Sequence, residues 1–207
     1  MKIEVWSDIV CPWCYIGKRR LESALADFEH PVEVEWRSFQ LDPTFPRGEA
    51  IPVYDALAQK FGAGDVRGMT EHVTELAEVE GLHYDYDHAV MVNTFDAHRL
   101  THHAKAQGLG GEMHERLMRA QLVDGETVDD VDTLVRLGED VGVEGARAVL
   151  TSDQYTADVE DDIREARLLG ATGVPFFVLD RRYGVSGAQP VEVFSSALRQ
   201  ALAGSAA

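Results

Sequence analysis

The two cysteines of the chain lie together in one stretch, Asp8-Ile9-Val10-Cys11-Pro12-Trp13-Cys14-Tyr15. This pair constrains the fold more than any other feature, because it falls where the apolar period changes. Residues 2–7 alternate, with Ile3 and Val5 on one face, the pattern of a strand. From Pro12 onward Cys14, Leu21, Leu25 and Phe28 share a helical stripe, while Lys18, Arg19, Arg20 and Glu22 lie off it. Proline suits the first helical position, where its missing N–H would have no partner in any case. The spacing therefore predicts Cys11 at the N-cap of a helix and Cys14 one turn inside it.

Residues 32–39, VEVEWRSF, alternate again and predict a second strand. Two strands joined by a helix of this length lie parallel, with a right-handed crossover. After the proline-marked loop LDPTFPRGEAIP, residues 51–151 read as successive helical stripes cut by glycine-bearing turns. Among them are Leu57, Ala58 and Phe61, then Phe95, Ala97, Leu100 and Ala104, then Leu117, Met118 and Leu122. A further helix over Gln154 to Leu169 leads to a buried strand at Phe176 to Leu179. The turn DRRY and the strand GVSG complete a hairpin. Pro190 opens a last helix with the stripe Val191, Phe194, Ala197, Leu198, Ala201 and Leu202. Without the helical block the order is β-α-β, then α-β-β-α, the thioredoxin arrangement. The predicted class is α/β, a thioredoxin-like domain formed by residues 1–50 and 152–207, with a large all-helical insertion over residues 51–151.

Composition narrows the chemistry. Of 207 residues 45% are hydrophobic, enough for a substantial core, and 36 acidic against 19 Lys and Arg residues give a formal charge of −17. Such a surface repels phosphate backbones and anionic lipids, so neither nucleic acid nor membrane is an expected partner. The opening MKIEVWSDIV lacks a basic region followed by a long apolar run, which points to the cytoplasm. A structural disulfide is uncommon there, leaving redox chemistry or metal binding for the pair. A structural zinc site wants four ligands. The only histidines placed to help, His98 and His102, sit one turn apart without an accompanying acidic motif and read as a polar helix face. No metal is expected. Redox chemistry, by contrast, has support from position, since a helix start offers unpaired N–H groups and the positive end of the dipole to a thiolate.

The segments SDIVCPWCYIGKRRL and GATGVPFFVLDRRYGVSGAQPVEVF, with NTFDAHRL at Asn93 to Leu100, resemble the DsbA-like thioredoxin superfamily, in particular its FrnE-type cytoplasmic branch. The resemblance implies a redox-active Cys11–Cys14 pair and a cis peptide bond at Val174-Pro175. It also implies an active-site loop supported by Pro12, Trp13, Val174 and Pro175, where the backbone of Val174 would pair with an extended substrate. Three departures are visible. Trp13 stands where the periplasmic oxidase of the superfamily has histidine, which predicts a less oxidising couple. Val5 replaces the buried acid that many thioredoxin-like proteins carry before the first cysteine. Asp8 is then the nearest candidate for moving the proton of Cys14, although capping or solvating the loop is its expected job. No second cysteine pair exists to relay a disulfide. Trp6 is expected to pack, and Trp13 to form an apolar rim.

The implied activity is thiol–disulfide exchange with protein or small-molecule thiols and disulfides. It needs no metal or organic cofactor, and a low-molecular-weight thiol such as glutathione is the candidate co-substrate. The rival is a thiol-cofactor-dependent isomerase or kappa-class-like transferase. Those enzymes share the fold but carry serine at the position of Cys11, and Asn93, Ser186 and Gln189 would help to hold the cofactor. A serine-type site gains nothing from a resolving Cys14, and a binding module without turnover would not explain a paired thiol.

Overall fold

The computed structural model describes residues 1–62 and 64–205; positions 206–207 of the expected last segment lie outside it. Its centre is strand β1 (Lys2–Ser7), which pairs in parallel with β2 (Glu33–Ser38), from Lys2 opposite Glu33 to Ser7 opposite Ser38. On its other side β1 runs antiparallel to β5 (Phe176–Leu179), with Trp6 opposite Phe176, and β5 pairs antiparallel with β6 (Tyr183–Ser186). The sheet order is β2-β1-β5-β6.

Period-two alternation sends the residues of β1 to two different layers. Ile3 and Val5 join a core with Leu21 and Ala24 of helix α1 (Pro12–Ala26), Phe177 and Leu179 of β5, and Phe194, Leu198 and Ala201 of α9 (Val191–Ser205). Trp6, fully buried, packs on the opposite face with Ala166 of α8 (Thr156–Leu168) and Val178, and its indole N–H donates to the Asp162 carbonyl at 2.8 Å. That face also holds a charged network. Arg37 donates to Glu4 at 2.6 Å and to Asp162 at 2.8 Å, and Arg181 donates to Glu4 at 2.6 Å. Burial pushes the Glu4 carboxyl up, but the two guanidiniums outweigh it and hold the group below its usual range.

The predicted hairpin turn forms with Asp180 and Arg181 at φ 46° and 56°. Aspartate tolerates this left-handed geometry, and its Oδ1 accepts from Lys2 N at 2.7 Å, which ties the turn to β1. The helix expected from Gln154 begins later, at Thr156, because Tyr155 adopts a left-handed conformation, φ 62°.

Between β2 and α8 the chain forms α2 (Val53–Phe61), α3 (Val66–Val79), α4 (Phe95–Ala106), α5 (Gly110–Leu122), α6 (Val131–Asp140) and α7 (Ala146–Leu150). Ala97, Leu100, Leu117, Met118, Leu134 and Leu137 are fully buried there. Two details differ from the sequence expectation. Strands β3 (Ile51–Pro52) and β4 (Val90–Met91) form a small antiparallel pair, too short for any alternation to register. Phe61, expected on an apolar stripe, is 59% exposed, because α2 lies outermost and buries none of its residues. Among the described residues no helix is long and apolar enough to cross a membrane.

Candidate active site

The site is built at the junction of β1 and α1. Cys11 is the N-cap of α1, with extended φ −89° and ψ 110°, and its side chain makes no capping bond. Its amide donates to the Asp8 carbonyl at 3.0 Å, and the Cys14 amide donates to the Cys11 carbonyl at 3.0 Å, which closes the first turn. Both sulfurs are free thiols. The Cys11 thiol faces the carbonyl of Val174, with Sγ at 3.7 Å from the oxygen.

Both sulfurs are covered: Cys11 is 2% and Cys14 1% accessible. Val10, Val174 and Ala188 pack against the cluster that contains both cysteines. Tyr84 reaches over the helix start, where its hydroxyl donates to the Pro12 carbonyl at 2.7 Å. Trp13 remains 36% exposed beside the covered pair, in the place expected of a rim.

The Val174-Pro175 peptide is cis. Its loop approaches α1 closely at glycine 17, where a Cβ would meet Pro175 Cγ at 3.0 Å and Phe177 Cζ at 3.2 Å. The Ser186–Gln189 segment is brought to the same corner. Gly187 N donates to the Pro175 carbonyl at 2.8 Å, and Gln189 Nε2 donates to the Ser186 carbonyl at 2.8 Å. Arg20 Nη1 donates to the Ala188 carbonyl at 2.6 Å while its Nε engages Glu80. Asn93 is placed differently. Its Nδ2 donates to the Phe45 carbonyl at 2.6 Å, and its Oδ1 accepts from Phe95 N at 2.9 Å and from Gln40 Nε2 at 3.2 Å. Those bonds join the loop after β2 to the start of α4.

Electrostatics distinguish the two sulfurs. Burial pushes the Cys14 thiol well above its usual range, and the neighbouring Cys11 sulfur adds to the effect. The Asp8 backbone and the Ser7 hydroxyl oppose it more weakly. Cys14 is therefore a thiol at neutral pH. Burial and the charge of Cys11 also raise Tyr86, and burial with neighbouring Tyr86 and Cys11 raises Tyr84, so both phenols remain hydrogen-bond donors.

Asp8, 1% exposed, anchors the loop after β2: its Oδ2 accepts from Leu41 N at 2.7 Å and its Oδ1 lies 3.4 Å from His98 Nε2. The reading of His98 and His102 as incidental imidazoles on a polar face is corrected here. His98 is 2% exposed and faces Asp8, while His102 Nε2 lies 3.1 Å from Asp162 Oδ2. The helix turns this face inward toward acids supplied by the loop after β1 and by α8. Sequence reasoning also missed Ser7, Gly17, Tyr84 and His114, whose contacts all come from distant segments and leave no mark in local spacing.

With this geometry in view, the comparisons are consistent. The model of the DSBA-like thioredoxin domain matches residues 2–199. The crystal structure of a probable DsbA oxidoreductase from Streptomyces coelicolor is 45% identical, with a TM-score of 0.93 over 98% of this chain and 90% of that one. The uncharacterized protein YwbO of Bacillus subtilis is 29% identical over 200 residues, 95% of this chain and 94% of its own. The cytosolic disulfide reductase DsbM of Pseudomonas aeruginosa, solved with GSH, shares the fold at 23% identity and a TM-score of 0.69, over 98% of this chain and 99% of that one. A match over nearly the whole length, around a Cys-x-x-Cys pair at a helix start, makes the chain a member of the DSBA-like thioredoxin family of thiol–disulfide oxidoreductases.

Proposed function

We propose that Cys11 is the attacking sulfur and Cys14 the resolving one. The Cys11 thiolate attacks a substrate disulfide, forms a mixed disulfide and releases the first substrate thiolate. Cys14 then attacks Cys11 Sγ, closes the Cys11–Cys14 disulfide and releases the second. Run in reverse, the oxidised pair takes two electrons from a dithiol. The observation that carries this reading is the asymmetry of the pair: burial holds Cys14 as a thiol, while Cys11 sits at the uncapped start of α1.

Trp13 and the Val174 backbone supply the surface a substrate would meet, and Pro12 and Pro175 shape it. Protein disulfides and small thiols both suit this arrangement. A glutathione-type co-substrate and a cytoplasmic setting are supported by the shared fold of the cytosolic reductase solved with GSH. The step itself calls for no metal or organic cofactor.

The test is a graded redox buffer with thiol trapping and mass measurement. Wild-type protein should interconvert between dithiol and internal disulfide at one potential, and Cys14→Ser should accumulate mixed disulfides. Retention of turnover on an isomerisable substrate by Cys11→Ser would replace this reading with the isomerase one.

A further inference from the structure

Docking of an extended substrate needs a fixed distance between the sulfur that attacks and the backbone that holds the peptide. Cys11 stands at the start of α1, and the Val174 carbonyl, 3.7 Å from its sulfur, belongs to the loop before β5. One face of α1 meets this corner of the site at two places. A Cβ on Gly17 would lie 3.0 Å from Pro175 Cγ and 3.5 Å from Ala188 Cα. Arg20, three positions further on the same face, donates from Nη1 to the Ala188 carbonyl at 2.6 Å.

Arg20 is itself held from another direction. Its Nε donates to Glu80 Oε1 at 2.6 Å, and the two side chains are only 15% and 14% exposed. Glu80 ends α3, where its N–H donates to the Ala77 carbonyl at 3.0 Å, so the carboxylate comes from the helical insertion. A planar guanidinium serves two acceptors at once in a fixed fork geometry, which a flexible ammonium does not reproduce. Opening a mostly buried ion pair strands both charges, so the pair resists movement. From Ala188 the connection continues through Gly187, whose N–H donates to the Pro175 carbonyl at 2.8 Å. A continuous series of bonds thus runs from Glu80 through Arg20, Ala188 and Gly187 to the peptide beside Cys11.

We propose that Arg20, set by Glu80, is a positioning residue for extended peptide substrates, a refinement that rests on the reading of the Val174 backbone as the docking surface. The brace holds the Val174-Pro175 loop at a constant distance from Cys11, so that a peptide paired with Val174 presents its disulfide to the sulfur. Arg20 therefore matters for a substrate with backbone on both sides of the disulfide. A small disulfide, which needs no backbone partner, is indifferent to it. Through Glu80 the helical insertion takes part in choosing between the two.

The sulfur and the brace share one element. Arg20 lies about two and a half turns beyond Cys11 on α1, a helix anchored by the buried residues Cys14, Ile16 and Leu21. The chain after α3 grips this helix twice, at Arg20 through Glu80 and at the Pro12 carbonyl through the Tyr84 hydroxyl. The hydrogen bonds of Arg20 go to Glu80 and Ala188, so it acts on the reaction by placing the loop. Placement carries weight in such a step, since a displacement of about 1 Å can cost on the order of a hundredfold in rate.

Two probes separate placement from reactivity: an alanine-rich peptide with a central cysteine, and N-acetylcysteine amide, each joined by a disulfide to the same chromogenic aryl thiol. In the reduced full chain the Cys11 thiolate attacks the cysteine sulfur of either probe, and the coloured aryl thiolate leaves. Wild-type protein should react faster with the peptide. Arg20→Met should lower the peptide rate by about tenfold and leave the single-residue rate within about twofold. Glu80→Gln should shift the peptide rate in the same direction, and Arg20→Lys should lose the preference as well. Arg20→Met combined with Glu80→Gln should match Arg20→Met alone, because the two side chains act as one unit. The combined variant strands no carboxylate and decides the matter should Arg20→Met fail to fold. An unchanged peptide preference in the folded variants overturns the proposal. So does an equal loss with both probes, which would mark a change in the thiolate or the fold. A wild-type chain without peptide preference would instead remove the Val174 docking reading, and the proposal with it.

Discussion

Gly17 and Pro175 face each other so closely that a Cβ on the first would stand 3.0 Å from Cγ of the second. Position 17 is thus a packing requirement of the loop that covers Cys11. Gly17→Ala should push Val174 and Pro175 off α1 and cost about 1–3 kcal/mol, the usual penalty of overpacking. Denaturant unfolding measures the cost. Iodoacetamide labelling of Cys11 should accelerate, because its cover is displaced.

Acid should destabilise the protein in two separate windows. His114 is held well below 6.5, so the unfolded chain binds a proton that the folded one refuses, and stability falls as pH drops below about 6.5. Burial raises Glu115, but hydrogen bonds from Arg19, Lys18 and Tyr15 lower it to about 2. Its contribution is complete above the unfolded carboxylate value near 4.5 and fades as pH falls toward 2. Melting temperature against pH should show both declines, and His114→Gln should remove only the upper one.

Arg37 joins β2 to Glu4 of β1 and Asp162 of α8. Arg37→Ala leaves two buried carboxylates short of a partner, a class of change that costs about 3–5 kcal/mol. Because Arg181 still reaches Glu4 and His102 still reaches Asp162, the loss should fall near the lower end. Chemical denaturation measures it, and a loss below 1 kcal/mol would show that the remaining partners suffice.

Tyr84→Phe removes the hydroxyl that donates to the Pro12 carbonyl at 2.7 Å. One neutral hydrogen bond contributes about 0.5–1.5 kcal/mol, so stability should fall by that amount. The start of α1 should also exchange its amide protons faster.

What the sequence reveals is local. The change of period at Pro12, the turn at Asp180 and the proline opening α9 each act within a few residues, and each appears where expected. Val174 reaches Cys11 from 163 positions away, so local spacing gives no sign of it and only the resemblance of the GATGVPFF segment places that loop at the cysteines. His98 and His102 look like a polar stripe until Asp8 and Asp162 close on them from the loop after β1 and from α8. Ser7 and His114 meet across 107 positions, and neither residue's immediate neighbours hint at the other. Asn93 belongs to a recognisable segment, yet its bonds to Phe45 and Gln40 become visible only once the loop after β2 is placed.

The pairing of Trp6 with Phe176 imposes an order on biosynthesis. The middle of the sheet cannot assemble until the ribosome has made most of the polypeptide. The roughly 160 residues between Cys14 and Val174 take on the order of 8–32 s to translate. Through that interval the nascent chain carries two neighbouring thiols whose Val174 cover is not yet synthesised, open on that side to any oxidant or disulfide nearby.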